Sequence, residues 1–268
     1  MYAFEVRQLT KSLILWSTLV GLVLVLFMAF FPSMANSDMA ELARAKFNAI
    51  PPAMREVLGI SGMTDFADLL QYFAYMAGYI MIAACIYAAA LGTSALMRDE
   101  SEGTIEFLYA QPVSRFKITA AKLMAVFSVL LVFNAFLFVV TIVLFEAFKP
   151  PGYQYLTMLW HLFLAMFGSQ LVFLALGYAL STLLPRSVQP ATAALGLFFT
   201  TYLLGDVAVI NKQVQGLKYL SPYHYAQPSA VLQRGGTMQN IYIYLILLIT
   251  CITIVLAIWR YQRKDLMV

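Results

Sequence analysis

Long apolar runs separated by short charged stretches dominate the chain. Charge-free intervals extend from Ser12 to Ser37, Leu69 to Met97, Leu123 to Phe145, Pro150 to Pro185, Ser187 to Gly205 and Gly235 to Trp259. A helix rises about 1.5 Å per residue and needs about 20 residues to cross the hydrocarbon core of a bilayer, so each interval is long enough. Trimming the polar and proline-rich ends predicts helical spans over about 12–31, 70–96, 118–145, 156–184, 188–210 and 240–260. The expected fold is an all-α polytopic membrane protein of six transmembrane helices, read as one transmembrane domain over 1–268, with both termini on the same side.

The stretches between spans carry their own patterns. Residues 1–11 interleave Tyr2, Phe4, Val6 and Leu9 with Glu5, Arg7, Gln8 and Lys11, which suits a short interfacial helix leading into the first span, with Trp16 near headgroup level. The run after Ser12 is longer than the apolar core of a signal peptide and is read as a retained span. Segment 32–68 has Leu42, Phe47 and Ile50 at roughly helical spacing, broken by Pro51-Pro52, and reads as a small cap of short helices. Thr64-Asp65 is a candidate start for the second helix. Segment 211–239 is moderately apolar but too short to cross twice. With Pro222 and Pro228 as breakers, it predicts a short helical hairpin in one leaflet, viable only if packed against the bundle. Asn134 and Gln170 stand out as amides in apolar spans, where a partner on another helix or a polar cavity is required.

Composition agrees with this reading. The 268 residues are 62% hydrophobic and only 11% charged, with a mean hydropathy of +0.80, whereas soluble domains are about one-quarter charged. The net charge of +4 does not point to nucleic acid, because the basic residues cluster at the ends of apolar runs. Cys85 and Cys251 both lie within apolar runs, and His161 and His224 are isolated along the chain, so neither a disulfide framework nor a metal site is indicated. Arg7, Lys11, Arg98, Arg115, Lys117, Lys122, Arg186, Arg260, Arg263 and Lys264 fall on one side of the predicted spans. Fewer basic residues, spread over longer loops, fall on the other. Positive charge concentrates in short cytoplasmic loops, so both termini are expected in the cytoplasm.

The chain contains no G-x-x-x-x-G-K-[ST] phosphate loop, H-E-x-x-H or G-x-S-x-G motif, and no paired carboxylates on one membrane helix. His161 and Asp206 are the intramembrane candidates for chemistry, and they fall toward the ends of different helices. Nothing in this pattern points to an enzyme.

The densest charge lies between the second and third spans, over Arg98–Lys122. Asp99, Glu100, Glu102 and Glu106 precede Leu108 and Pro112, and Arg115, Lys117 and Lys122 follow. Ile105, Leu108 and Tyr109 would share one side of a short helix and Glu102 and Glu106 another, with Pro112 as a stop and Ser114 as the cap of the next helix. Spacing alone leaves two readings open, an ordinary charged loop or a docking helix. The acidic residues followed by Gly103-Thr104, the step at Leu108 and Pro112-x-Ser114-Arg115 resemble the permeases of the ABC-2 type exporter family, as does Leu220-Ser221-Pro222-Tyr223 with Gly235.

That resemblance implies a membrane subunit of an ABC exporter in a prokaryotic cytoplasmic membrane. Its coupling helix would lie within 98–115, with Glu100, Glu102, Gly103, Thr104, Glu106, Leu108, Pro112, Ser114 and Arg115 engaging a separate ATP-binding subunit. Two ATPase copies and a second permease, identical or related, are the implied partners. ATP and magnesium would sit on the ATPase, and no cofactor on this chain. The first, second and fifth spans would rock a path between inward- and outward-open states, with Tyr79, Tyr87, Gln170, Thr200 and Tyr202 as candidate lining groups. The lack of charge in those spans favours an amphiphilic drug, peptide or lipid-like substrate. A membrane scaffold that anchors a soluble ATPase or regulator without transport is the alternative. An ion-coupled transporter is disfavoured by the scarcity of buried acids.

Overall fold

The computed structural model describes residues 1–60, 65–101, 114–184 and 188–263. Its long helices are α1 (Tyr2–Ala29), α5 (Leu69–Ser101), α6 (Arg115–Phe148), α7 (Leu156–Leu183), α8 (Pro190–Ile210) and α11 (Asn240–Arg263). All six are long and apolar enough to span a membrane, so the protein is an all-α polytopic membrane protein. The short helices α2 (Phe31–Met34), α3 (Ser37–Asn48) and α4 (Pro52–Val57) connect α1 to α5. A 3-10 stretch (Lys212–Leu220), α9 (Pro222–Tyr225) and α10 (Pro228–Gln233) connect α8 to α11.

Successive long helices run in opposite directions. Glu5 and Lys122, Tyr178 and Thr119, Thr93 and Pro190, and Arg115 and Gln262 meet at one end of the bundle, here called the base. Phe31 meets Tyr72 and Phe148 at the opposite end, the crown, where the two sets of short helices also lie. Both ends of the described chain belong to the base.

The residues over 1–11, expected as a short interfacial helix leading into the first span, are helical and continuous with it, since α1 runs unbroken from Tyr2. Glu5 is buried there and holds the Lys122 ammonium at 2.9 Å, so this polar position belongs to helix packing. Trp16 stacks on Tyr87 midway along α1. α5 and α6 also run further than charge spacing suggested. Charges mark where apolar sequence stops, whereas a helix continues as long as its backbone bonds are made. α5 begins after Asp68, whose carboxylate accepts the Gln71 amide; Asp65 lies one turn earlier and accepts from Ala67. Thr64 lies outside the described residues.

α5 and α7 form the most extensive helix pair and are the two spans buried along most of their length. Their crossing depends on two glycines. A Cβ at Gly92 would lie 2.2 Å from the Leu174 carbonyl oxygen, and one at Gly177 would lie 2.6 Å from that of Ala89. Between membrane helices, where water supplies no hydrophobic drive, such backbone approach is the main source of packing energy. α6 joins through Asn134, whose amide donates to Gln170 Oε1 at 2.7 Å and accepts from Gln170 Nε2 at 3.1 Å, both residues buried. α1, α8 and α11 leave most of their apolar surface facing outward.

The 211–239 segment meets the packing condition set by its length. Residues 221–229 are buried against the bundle. Pro222 O accepts from Ser169 on α7, and Tyr223 donates to Gly78 O on α5. Gln227 donates to Glu56 O on α4, while Lys218 pairs with the Glu56 carboxylate at 2.8 Å. Gly205 on α8 makes room for this segment, since a Cβ there would fall 2.3 Å from His224 Nδ1.

Candidate functional site

Two regions carry the candidate residues, one at each end of the bundle. At the base, α5 ends at Ser101 and α6 begins at Arg115, so the charged stretch is held between two neighbouring helix ends. Glu100 falls in the last turn of α5. Glu102, Gly103, Thr104, Glu106, Leu108 and Pro112 lie outside the described residues. Ser114 caps α6, its hydroxyl accepting the Lys117 amide at 3.4 Å, as the chain pattern predicts. Arg115 Nη1 donates to the Gln262 carbonyl at 3.2 Å and ties this start to the end of α11. Two turns further, the Lys122 ammonium pairs with Glu5 on α1, and the Tyr178 hydroxyl of α7 bonds Thr119 O at 2.9 Å. Arg98, on the other flank, shares a small recess with Glu5 and Lys122. The start of α6 is therefore joined to α1, α7 and α11 by polar contacts.

At the crown, Tyr79 and Tyr202 come together along one cavity, with Tyr75 and Tyr223 beside them. The other candidate path residues are elsewhere. Tyr87 is fully buried between Trp16 and Phe133, with ring centroids 5.2 and 4.9 Å away. Gln170 is fully buried and engaged with Asn134, and Thr200 lies on the exposed face of α8.

Sequence reading missed the cluster behind Tyr202. His224 is isolated along the chain, yet in space its Nδ1 lies 2.9 Å from Ser221 Oγ and its Nε2 lies 3.3 Å from Asp206 Oδ1. The Tyr202 side chain also hydrogen-bonds Asp206. Contacts in this order suggest a nucleophile–base–acid relay. Ser221 is fully buried and His224 nearly so, however, and a carbonyl substrate has no approach to the hydroxyl. The cluster pins the crown segment to α8. The one signal for it in the chain was Asp206, an acid near the end of an apolar span.

Outside the spans, Tyr153 donates to Asp68 Oδ2 at 2.7 Å and Tyr155 to Glu146 at 2.6 Å. Burial, reinforced by the Glu146 carboxylate, pushes the Tyr155 phenol up to about 12. Both therefore act as neutral donors that join crown loops to α5 and α6. Among the described residues, no group of three or more His, Cys, Asp or Glu is placed to hold a metal ion.

Six apolar helices long enough to span make this a multi-pass protein of the cell membrane. The chain matches the family model described as ABC-2 family transporter protein over residues 1–266, and it belongs to that family. No curated protein matches it. Family membership makes it a permease within an ABC transport system, the non-catalytic transmembrane subunit of assemblies whose ATPase is the partner.

Proposed function

We infer that this chain is the permease of an ATP-driven exporter that moves an amphiphilic drug, peptide or lipid-like substrate across the cytoplasmic membrane by alternating access. Both termini and the base face the cytoplasm, and the crown, with its cap over 32–68 and its hairpin over 211–239, lies at the outer leaflet. The stretch 98–115 contains the coupling helix, with Glu100, Glu102, Gly103, Thr104, Glu106, Leu108, Pro112, Ser114 and Arg115 as its docking groups. Two permeases, identical or related, each engage one ATP-binding subunit that holds ATP and magnesium.

The observation that carries this reading is how the stretch is flanked. α5 and α6, at 33 and 34 residues, are the longest helices. Each measures about 50 Å, some 20 Å more than the hydrocarbon core. Helices of that length exceed what the hydrocarbon core requires, and the contacts of Arg115 and Lys122 tie the start of α6 to the bundle. ATPase closure then pushes the coupling stretch, and the first, second and fifth spans rock the path between inward- and outward-open states.

Charge reversal at Glu102 and Glu106 tests the reading. The expected result is that the ATPase no longer co-purifies, or that it binds but its hydrolysis no longer responds to the permease. Retention of both association and coupled hydrolysis would refute the docking role. Association without any transport-linked stimulation, in the wild type as well, would favour a scaffold.

A further inference from the structure

Four tyrosines contribute to the wall of a cavity at the crown. It measures about 80 Å³ and lies between α5, the end of α4, α8 and the buried crown segment. Its walls include Tyr75, Tyr79, Tyr202 and Tyr223, with Gly78 and Gln227 between them. The rings form two near-perpendicular corners: Tyr75 and Tyr79 meet at 5.4 Å and 89°, and Tyr202 and Tyr223 at 5.0 Å and 69°.

The phenol hydroxyls are already engaged. Those of Tyr75 and Tyr79 bond each other at 2.9 Å, that of Tyr223 donates to Gly78 O, and that of Tyr202 bonds Asp206. With these bonds made, the tyrosines still have ring surface to offer a guest. Among the described residues lining the cavity, none carries a formal charge. The acidic side chain hydrogen-bonded to the wall through Tyr202 is Asp206, whose Oδ1 lies 3.3 Å from His224 Nε2. Tyr79 is 42% exposed and gives the cavity a way in.

Ring faces carry the negative part of the aromatic quadrupole. Such walls attract a cation, repel an anion, and give an uncharged guest of the same shape nothing beyond burial. The volume admits a few non-hydrogen atoms, since a water molecule takes about 30 Å³. We propose that the crown cavity formed by Tyr75, Tyr79, Tyr202 and Tyr223 binds the ammonium head of a small cationic amphiphile. The role as a site on the export path rests on the permease reading above; the binding itself does not.

The test uses the full-length permease, purified in lipid nanodiscs without any ATPase, so that its outcome is separate from that of the coupling experiment. Butylammonium is titrated by ligand-observed NMR beside butanol, its uncharged counterpart. Butylammonium is expected to saturate at a concentration about tenfold lower than butanol, the margin of a desolvated cation–π contact. Tyr79→Leu, at a half-exposed position that tolerates the change, and Tyr202→Leu are each expected to weaken butylammonium by about tenfold while leaving butanol unchanged. Tyr202→Phe keeps the ring and is expected to hold binding within about twofold. Equal binding of the two probes, no saturable binding of butylammonium, or leucine variants that bind like wild type would each overturn the proposal.

Discussion

Asn134 and Gln170 show how much one polar contact matters inside an apolar bundle. Each amide gives one hydrogen bond to the other and takes one back, within a site closed to solvent. Replacing either by leucine leaves the partner amide buried with a bond unmade, a loss of about 1–3 kcal/mol, whereas replacing both removes the need for pairing. In a double-mutant cycle read by thermal unfolding in detergent, Asn134→Leu and Gln170→Leu should each lower the midpoint, and the double variant should recover part of the loss. The expected coupling is about 0.5–2 kcal/mol, the range of interhelical amide bonds in membranes. Additive losses would show that the two amides act independently. Gln170 thus has a structural task that accounts for its position, and Tyr79 and Tyr202 are the candidate lining residues that still share a cavity.

Between elements, the crossing of α5 and α7 is governed by what is absent from Gly92 and Gly177. The backbones approach so closely that a single methyl on Gly92 meets a carbonyl oxygen, which unlike a flexible side chain cannot turn aside. Gly92→Ala should therefore separate the helices and destabilise the protein by about 1–3 kcal/mol, with a lower thermal midpoint in detergent. Gly196→Ala is the matched control. A Cβ there meets nothing within 4 Å, and the better helix propensity of alanine should leave stability unchanged or slightly raised. Similar midpoints for the two variants would show that the crossing is not tightly packed.

For the whole molecule, the arrangement of base and crown makes the topology testable without an ATPase. With Cys85 and Cys251 replaced by serine, a cysteine at Asn36 in the crown should react with an impermeant maleimide added to intact cells. A cysteine at Gln262 at the base should react only after the membrane is opened. The reverse pattern would invert the assignment of the cytoplasmic face and, with it, the side from which an ATPase reaches 98–115. Positive charge at the ends of the spans supports the stated orientation.

Composition and the spacing of charges alone determine that the chain holds six segments long and apolar enough to cross a membrane, and roughly where, because bilayer thickness sets a length that any span must satisfy. They also locate the charged stretch between the second and third spans and the cap at Ser114, since capping depends on residues a few positions apart. Only the tertiary structure decides which faces meet. The hydrocarbon accepts every apolar side chain alike, so nothing in the order of residues in α5 says that Gly92 faces α7 while Tyr79 faces α8 and the crown. The pairs Glu5–Lys122, Asn134–Gln170 and Asp206–His224 are likewise invisible along the chain. Each joins residues on different turns or helices that become neighbours only when the helices pack, because a polar group taken out of water must be paired where it is buried.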